Sequence, residues 1–354
     1  MAVGTGISSY PHGGPRARPT PMKLIIQIPC LDEAASLPRT LADLPVEVDG
    51  FDAVEWLVID DGSSDGTAEV ARRCGVHHIV RFPQNHGLAT AFQSGLDAAL
   101  KLGADVIVNT DADNQYRGDD VARLVAPILA GQADLVIGDR VIRSQDGFSP
   151  AKKALQAWGS WVVRQASGTD VADVTSGFRA YSREAAMRVN VVTRFTYTLE
   201  TIIQAGKGDI SVADVPIQTN AAVRPSRLFR SNGQYVRRSV ATILRVYAVH
   251  EPLRVFMALA AIFGLAAGAL FGRFAYFYVT EPGPTGHVQS LVVAAALAVS
   301  ALLFAMLGVI GDLLRTNRLI AERTLRRVRA IELTLGVEAE RLHDKPLDVE
   351  RPRL

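Results

Sequence analysis

The chain has 354 residues, 48% hydrophobic and 21% charged, with 38 Lys and Arg against 36 Asp and Glu. That length suits one catalytic domain of about 220 residues plus a smaller appendage. The net charge of +2 says little by itself, and no nucleic-acid partner is expected. The two cysteines, Cys30 and Cys74, have no metal-ligand spacing and read as free thiols of a reducing compartment.

Residues 1–22 are rich in Gly, Pro, Ser and Arg without an apolar core, which reads as a disordered lead-in rather than a cleaved signal peptide. Ile25 to Ile28 form an apolar strand stopped by Pro29. A helix should follow, with Asp32 and Glu33 in its first turn. Leu57-Val-Ile-Asp60-Asp61-Gly62-Ser-Ser-Asp65-Gly-Thr67 is a second strand ending in two acids and a turn, with Asp65 or Thr67 able to cap the next helix. An acid at that point can accept a hydrogen bond from a nucleotide base or ribose. A third strand, His78 to Phe82, leads to Asn85-His86-Gly87-Leu88, which opens a helix over Leu88 to Leu102. A fourth strand ends at Asp111-Ala-Asp113. Two carboxylates two residues apart, just past a strand end, point the same way from the edge where open α/β sheets bind ligands. Mg²⁺ typically sits between such carboxylates and substrate phosphates, so a nucleotide diphosphate is the candidate ligand. A helix over Asp119 to Leu129 and a strand over Asp134 to Gly138 follow. This alternation predicts a mostly parallel sheet covered on both faces. Beyond it, a helix is expected over Ala151 to Gln165 and a strand over Ser211 to Ile217.

These motifs together resemble family 2 glycosyltransferases. The resemblance rests on Ile28 to Glu33, Asp60 to Thr67, Asn85 to Leu88, Asp111 to Gln115, Gly138-Asp-Arg140, Thr175-Ser-Gly-Phe-Arg179 and the Arg-Leu-Phe-Arg stretch from Arg227. It covers about residues 23 to 250, and its later segments look like the polyprenol-phosphate sugar transferase branch. It implies an α/β, A-type glycosyltransferase fold, Rossmann-like, in residues 23–224. It also implies a nucleotide-sugar donor, UDP- or GDP-linked, and Mg²⁺ or Mn²⁺. On this likeness Asp60 meets the base or ribose, with Asp61, Pro29, Leu31 and Glu33 lining the donor pocket. Asp111 holds the ribose or sugar and shares the metal with Asp113, and Gln115 supports that side of the pocket. Arg140 meets the acceptor phosphate, Glu200 resembles an acceptor-side acid, and Arg224 is placed near a bound phosphate. Family members often carry Tyr-Asn where this chain has Leu31-Asp32, so the aromatic ring at that position is missing here.

Residues 225–253 mix arginines with Leu228, Phe229, Tyr235, Ile243 and Leu244, as an amphipathic helix lying in a membrane interface would. Val255 to Gly272 and Val288 to Gly311 are uncharged runs of 18 and 24 residues, each long enough to cross a bilayer. Two transmembrane helices are expected within residues 254–314, at about 255–279 and 288–312, followed by a helical tail over 315–354. Arginines flank the pair on its outer ends and none lies in the connecting turn. The positive-inside rule therefore puts both termini and the catalytic domain on the cytoplasmic side of the cell membrane. In the tail, Ile320, Thr324, Val328, Ile331 and Leu335 form a stripe suited to a partner subunit, hence a homo-oligomer, or to the catalytic domain. A nucleotide-sugar site facing such a surface calls for a polyprenyl (dolichyl or undecaprenyl) phosphate acceptor and an inverting transfer. Two alternatives stand beside it. A processive polysaccharide synthase would carry Gln-x-x-Arg-Trp where this chain has Gln234-Tyr-Val-Arg-Arg238, and a non-catalytic scaffold would not need Asp113, Gln115 and Arg140 together.

Overall fold

The computed structural model describes residues 21–140, 167–191, 197–208, 210–220, 251–280, 288–337 and 348–350, with positions 161, 164 and 248. The helix expected over Ala151 to Gln165, the interfacial segment up to residue 250, and Arg224 lie outside these residues or are touched only at single positions.

In chain order the elements are β1 (Lys23–Cys30), α1 (Leu37–Asp43), β2 (Ala53–Asp60), α2 (Thr67–Arg73), β3 (His78–Arg81), α3 (Leu88–Lys101), β4 (Val106–Asn109), α4 (Asp120–Leu129) and β5 (Leu135–Asp139). Then come β6 (Arg179–Ser182), α5 (Arg183–Arg188), α6 (Thr198–Lys207), β7 (Val212–Pro216), α7 (Pro252–Thr280), α8 (Val288–Leu335) and β8 (Asp348–Glu350). The strands form one sheet, ordered β7-β5-β6-β4-β1-β2-β3-β8. Strands β1 to β4 are mutually parallel, as are β5 and β7, whereas β6 runs against β4 and β5 and β8 runs against β3.

The pleat divides the core. Ile25, Leu57, Ile59 and Ile107 face α3, α5 and α6; Leu24, Ile26, Ile28 and Val58 face α1, α2 and α4. Burial on both faces explains why these strands read as continuous apolar runs rather than alternating ones. Pro29 does not stop β1: it lies inside the strand, opposite Ile59. Pairing with β4 has already ended at Gln27 with Asn109, so the missing N–H breaks no ladder bond on that side. Asp32 and Glu33 are not in a helix first turn either. Asp32 sits at φ 52, α1 begins only at Leu37, and the Asp32 and Glu33 amides donate to Ser63 Oγ and Thr67 Oγ1.

α7 and α8 pack on each other and are long and apolar enough to cross a membrane, with most of their surface exposed. Their approach is tight where the chain enters, since a Cβ on Gly311 would lie 2.6 Å from Pro252 Cβ. The second apolar run and the helical tail expected from residue 315 form one continuous helix. No Gly or Pro interrupts the chain after Gly311, so α8 continues from the apolar run to Leu335. It stops at Gly336 (φ 65), where the Val337 N–H donates to the Glu332 carbonyl, a left-handed C-terminal cap. Of the two partners expected for the apolar stripe, the catalytic domain is not the one it meets: Ile320, Val328, Ile331 and Leu335 are exposed, and a charged face lies on that domain.

Candidate active site

The loops after β1, β2, β4 and β5 meet at the carboxyl edge of the parallel strands, and each carries residues singled out from the sequence. Asp60, at the end of β2, is fully buried. Its Oδ1 accepts the Ser63 N–H (2.9 Å), while Oδ2 has no hydrogen-bond partner among the described residues and lies 3.4 Å from Arg81 Nε. The carboxylate is thus oriented, with one buried oxygen that faces only Arg81 and accepts no hydrogen bond among the described residues. Asp61 is committed elsewhere. Its two oxygens accept the His86 and Gly87 amides at 2.8 and 2.9 Å, which fixes the entry to α3, and burial pushes its carboxyl above the ordinary range. Leu31 is exposed at the end of β1, and Glu33 turns inward to accept the Ser36 hydroxyl.

The Asp111-to-Arg117 loop is held on several sides. Thr40 Oγ1 donates to the Ala112 carbonyl (2.8 Å), the Asn220 N–H to the Gln115 carbonyl (2.9 Å), and Asn220 Nδ2 to the Asn114 carbonyl (3.0 Å). Asn114 takes φ 55, which turns the chain so that Asp113 Oδ1 accepts the Gln115 N–H at 3.1 Å. Tyr116 drops into the core against Phe178, with ring centroids 5.1 Å apart.

Asp111 rests on Gly177, where a Cβ would sit 3.0 Å from its Oδ2 and 2.8 Å from the Tyr197 hydroxyl, so only glycine leaves the carboxylate its seat. Around that seat Asn109 Nδ2 donates to the Gly177 carbonyl (2.8 Å) and Tyr197 Oη (3.0 Å), and the Gly177 N–H donates to Tyr116 Oη (3.0 Å). Burial first, then repulsion from Asp113, pushes the Asp111 carboxyl up to about 7, with Arg140 opposing. Two acids whose charges disfavour each other, with hard oxygen donors only, suit a divalent cation that takes its remaining ligands from phosphate and water. Among the described residues no third His, Cys, Asp or Glu completes a closed protein cage.

Arg140 follows β5 and is aimed by a side chain the sequence reading passed over. Its Nε donates to Asp173 Oδ2 (2.6 Å), and Nη2 donates to Asp173 Oδ1 (3.1 Å) and Thr175 Oγ1 (2.7 Å). This two-pronged grip fixes the guanidinium plane. Burial opposes charge on Asp173, yet the Arg140 and Thr175 hydrogen bonds hold its carboxyl below the ordinary range. The loop behind it is tied by Arg179, fully buried, which donates to the carbonyls of Ser176 (2.8 Å), Val174 (3.0 Å) and Thr198 (2.8 Å) and to Thr201 Oγ1 (2.6 Å). Glu200 lies one turn into α6, 3% exposed, and Arg318 Nη2 of α8 donates to its Oε1 at 2.7 Å.

The structure therefore brings Asp60, Asp111, Asp113, Gln115 and Arg140 to one edge, assigns Asp61 to the loop, and links Glu200 to α8. The sequence reading missed Arg81, Asn109, Tyr116, Asp173 and Tyr197. Only Asp173 had a local signal, an acid two residues before the Thr175-to-Arg179 motif.

A mixed, mostly parallel sheet with acids and an arginine gathered at its carboxyl edge is the arrangement of an A-type glycosyltransferase domain. The chain belongs to glycosyl transferase family 2, whose family model matches residues 25–189, and it is a glycosyltransferase. It is 31% identical over 176 residues to an undecaprenyl-phosphate mannosyltransferase of Micrococcus luteus, covering 48% of this chain and 70% of that one. It is 29% identical over 227 residues to the polyprenol monophosphomannose synthase of Mycolicibacterium smegmatis, covering 61% and 84%. A glucosyl-3-phosphoglycerate synthase from Mycobacterium tuberculosis, solved with Mn²⁺, UDP-glucose and phosphoglyceric acid, shares the fold. Its TM-score is 0.50 at 23% identity, over 64% of this chain and 80% of that one.

Proposed function

We propose that the protein moves one sugar from a UDP- or GDP-linked donor to a membrane-embedded polyprenyl phosphate, with inversion at the anomeric carbon. The carrying observation is Arg140, locked by Asp173 and Thr175 beside the Asp111–Asp113 pair. A site for one metal-bound diphosphate needs no separately braced guanidinium, but a site that brings in a second phosphate does. The names of the Micrococcus and Mycolicibacterium relatives support a lipid-phosphate acceptor, and the exposed apolar hairpin supports placement at a membrane.

In this reading Asp60, with Arg81 behind it, holds the base or ribose. Asp111 and Gln115 orient the sugar side, with Pro29, Leu31 and Glu33 around the donor. Asp113, with Asp111, would hold Mg²⁺ or Mn²⁺, which when bound neutralises charge on the leaving diphosphate. The nucleophile is an already ionised phosphate oxygen, so no strong general base is needed. The chain's task is to hold two mutually repelling anions in line, and the Nη1 end of the Arg140 guanidinium, left over from its grip on Asp173 and Thr175, would do this for the acceptor. As the phosphate oxygen bonds to the anomeric carbon, the bond to the diphosphate breaks on the opposite face, giving a β-linked product from an α-linked donor. The hairpin of α7 and α8 would span the cell membrane, with the catalytic domain and both ends of the chain in the cytoplasm.

The test is to incubate purified full-length protein and Mg²⁺ or Mn²⁺ with undecaprenyl or dolichyl phosphate and a panel of nucleotide sugars, reading the lipid by mass. A lipid-phosphate monosaccharide from one donor supports the proposal. Donor binding without any lipid product across the panel refutes it.

A further inference from the structure

The charged face of α8 gives the outer half of this helix a role beyond anchoring. From Asp312 to Leu335 it rises about 35 Å past the apolar run. The half-buried positions Arg315, Arg318, Glu322, Leu325, Arg329 and Glu332 recur at three- and four-residue spacing, so they form one face, and that face lies on the catalytic domain. It grips three separate elements. Arg318 donates to Glu200 of α6 (2.7 Å) and to Glu322 of its own helix (2.8 Å). Arg326 pairs with Glu184 of α5. Arg329 donates to the carbonyls of Val189 (2.9 Å) and Met187 (3.2 Å) at the end of α5 and lies 3.2 Å from Asp97 of α3. Leu333 packs against the core beneath.

We infer that this outer half is a positioning strut: Arg318, Arg326 and Arg329 fix the height and tilt of the pocket over the bilayer, so that the acceptor phosphate meets Arg140. The inference rests on the membrane-acceptor reading above. An apolar contact would hold the two bodies together without a fixed register, because it is non-directional. Guanidinium forks on carboxylates and on the carbonyls at a helix end specify one docking. The three arginines are spaced over 11 residues, about 16 Å of helix, so the domain cannot pivot about a single contact. The lowest contact is also nearest the chemistry. Arg318 stands six residues past Asp312, about 9 Å of rise, and holds α6 there. The residue preceding α6 is Tyr197, whose hydroxyl accepts from Asn109 beside the Asp111 seat. The floor of the pocket is thereby tied within about two turns of helix to the end of the apolar run, the depth at which a lipid headgroup phosphate lies.

A strut for height is distinguishable from a brace for folding because only the former depends on where the acceptor sits. The full chain is assayed in two formats: in bilayer nanodiscs with long-chain polyprenyl phosphate, and in detergent with a short-chain, water-soluble prenyl phosphate. For Arg326→Ala/Arg329→Ala, transfer in the bilayer should fall about ten- to a hundred-fold, as misplacement by an ångström or more does. Transfer to the short acceptor should stay within about two-fold, with donor KM unchanged. Equal losses in both formats, or no loss in either, overturn the strut while leaving the acceptor reading intact. Wild-type protein inert toward both acceptors overturns the acceptor reading, and the strut with it.

Discussion

Asp173→Asn isolates the aim of Arg140 from its presence. In the native site the carboxylate takes two donors from the guanidinium, at 2.6 and 3.1 Å, and Thr175 takes a third contact at 2.7 Å. An asparagine keeps the shape but presents one carbonyl oxygen and one amide nitrogen, so one prong is lost and an N–H faces an N–H. Removing one member of a buried pair costs about 3–5 kcal/mol. Here Thr175 remains, 16% of the arginine side chain stays exposed, and Asp111 offers a second negative charge, so about 2–3 kcal/mol of stability is the expected loss. The released guanidinium should drift toward Asp111. Transfer should then fall roughly ten- to a hundred-fold, the worth of one charge-assisted contact made in the transition state, with donor affinity within a few-fold. Calorimetric donor binding, thermal unfolding and initial rates with acceptor varied, run on Asp173→Asn, Arg140→Ala and Arg140→Lys, separate the effects. Arg140→Lys should recover only part of the Arg140→Ala loss, since an ammonium cannot hold Asp173 with two prongs and still present a donor to the acceptor. A full rate in Asp173→Asn with a lost rate in Arg140→Ala would show that Arg140 needs no aiming. Lost donor affinity with a normal acceptor constant in Arg140→Ala would move that arginine onto the diphosphate.

Four further outcomes follow from the geometry. Asp113→Asn should abolish turnover and weaken metal-dependent nucleotide binding while the fold survives; a wild-type rate would remove the metal assignment. Gly177→Ala should cost about 1–3 kcal/mol in thermal unfolding, since its methyl meets the Tyr197 hydroxyl and Asp111, and should depress transfer further by displacing that carboxylate. In metal-free protein the Asp111 carboxyl keeps its proton between its ordinary 3.8 and about 7, where the unfolded chain has released it. Its contribution to stability therefore falls as pH rises through that window, while metal affinity rises; Asp111→Asn should flatten the slope of thermal stability with pH. With Cys30 and Cys74 replaced, a cysteine at Thr280 should react from outside intact cells, and one at Val337 only after the membrane is opened; the reverse result would invert the hairpin.

The sheet and its carboxyl edge were legible because strands buried on both faces write themselves as apolar runs, and each run ends in a motif. Asp60, Asp111 and Asp113 were readable for that reason. Asp173 and Tyr197 were not, because their partners lie 33 residues away at Arg140 and 88 residues away at Asn109, and no local period encodes such a contact. The outer half of α8 misled in a different way. Apolar residues at helical spacing were offered to the catalytic domain or to a partner subunit, yet the face on the catalytic domain is arginine and glutamate, because its partners Glu200, Glu184 and Asp97 are acids presented by other helices. Gly336 was a visible stop signal for that helix.

Arg179 shows how a mutational scan of this chain would mislead. It is as completely buried as any core leucine, yet its donors tie the Val174 and Ser176 carbonyls to the start of α6. Replacing it would loosen Asp173, Thr175 and Gly177 together, and with them the seats of Arg140 and Asp111. Scored by product formed, such a variant would look like the loss of a reacting group. Scored by abundance, it would look like an ordinary core defect. Only the two scores on the same cells would reveal a residue whose work is to keep other residues' addresses.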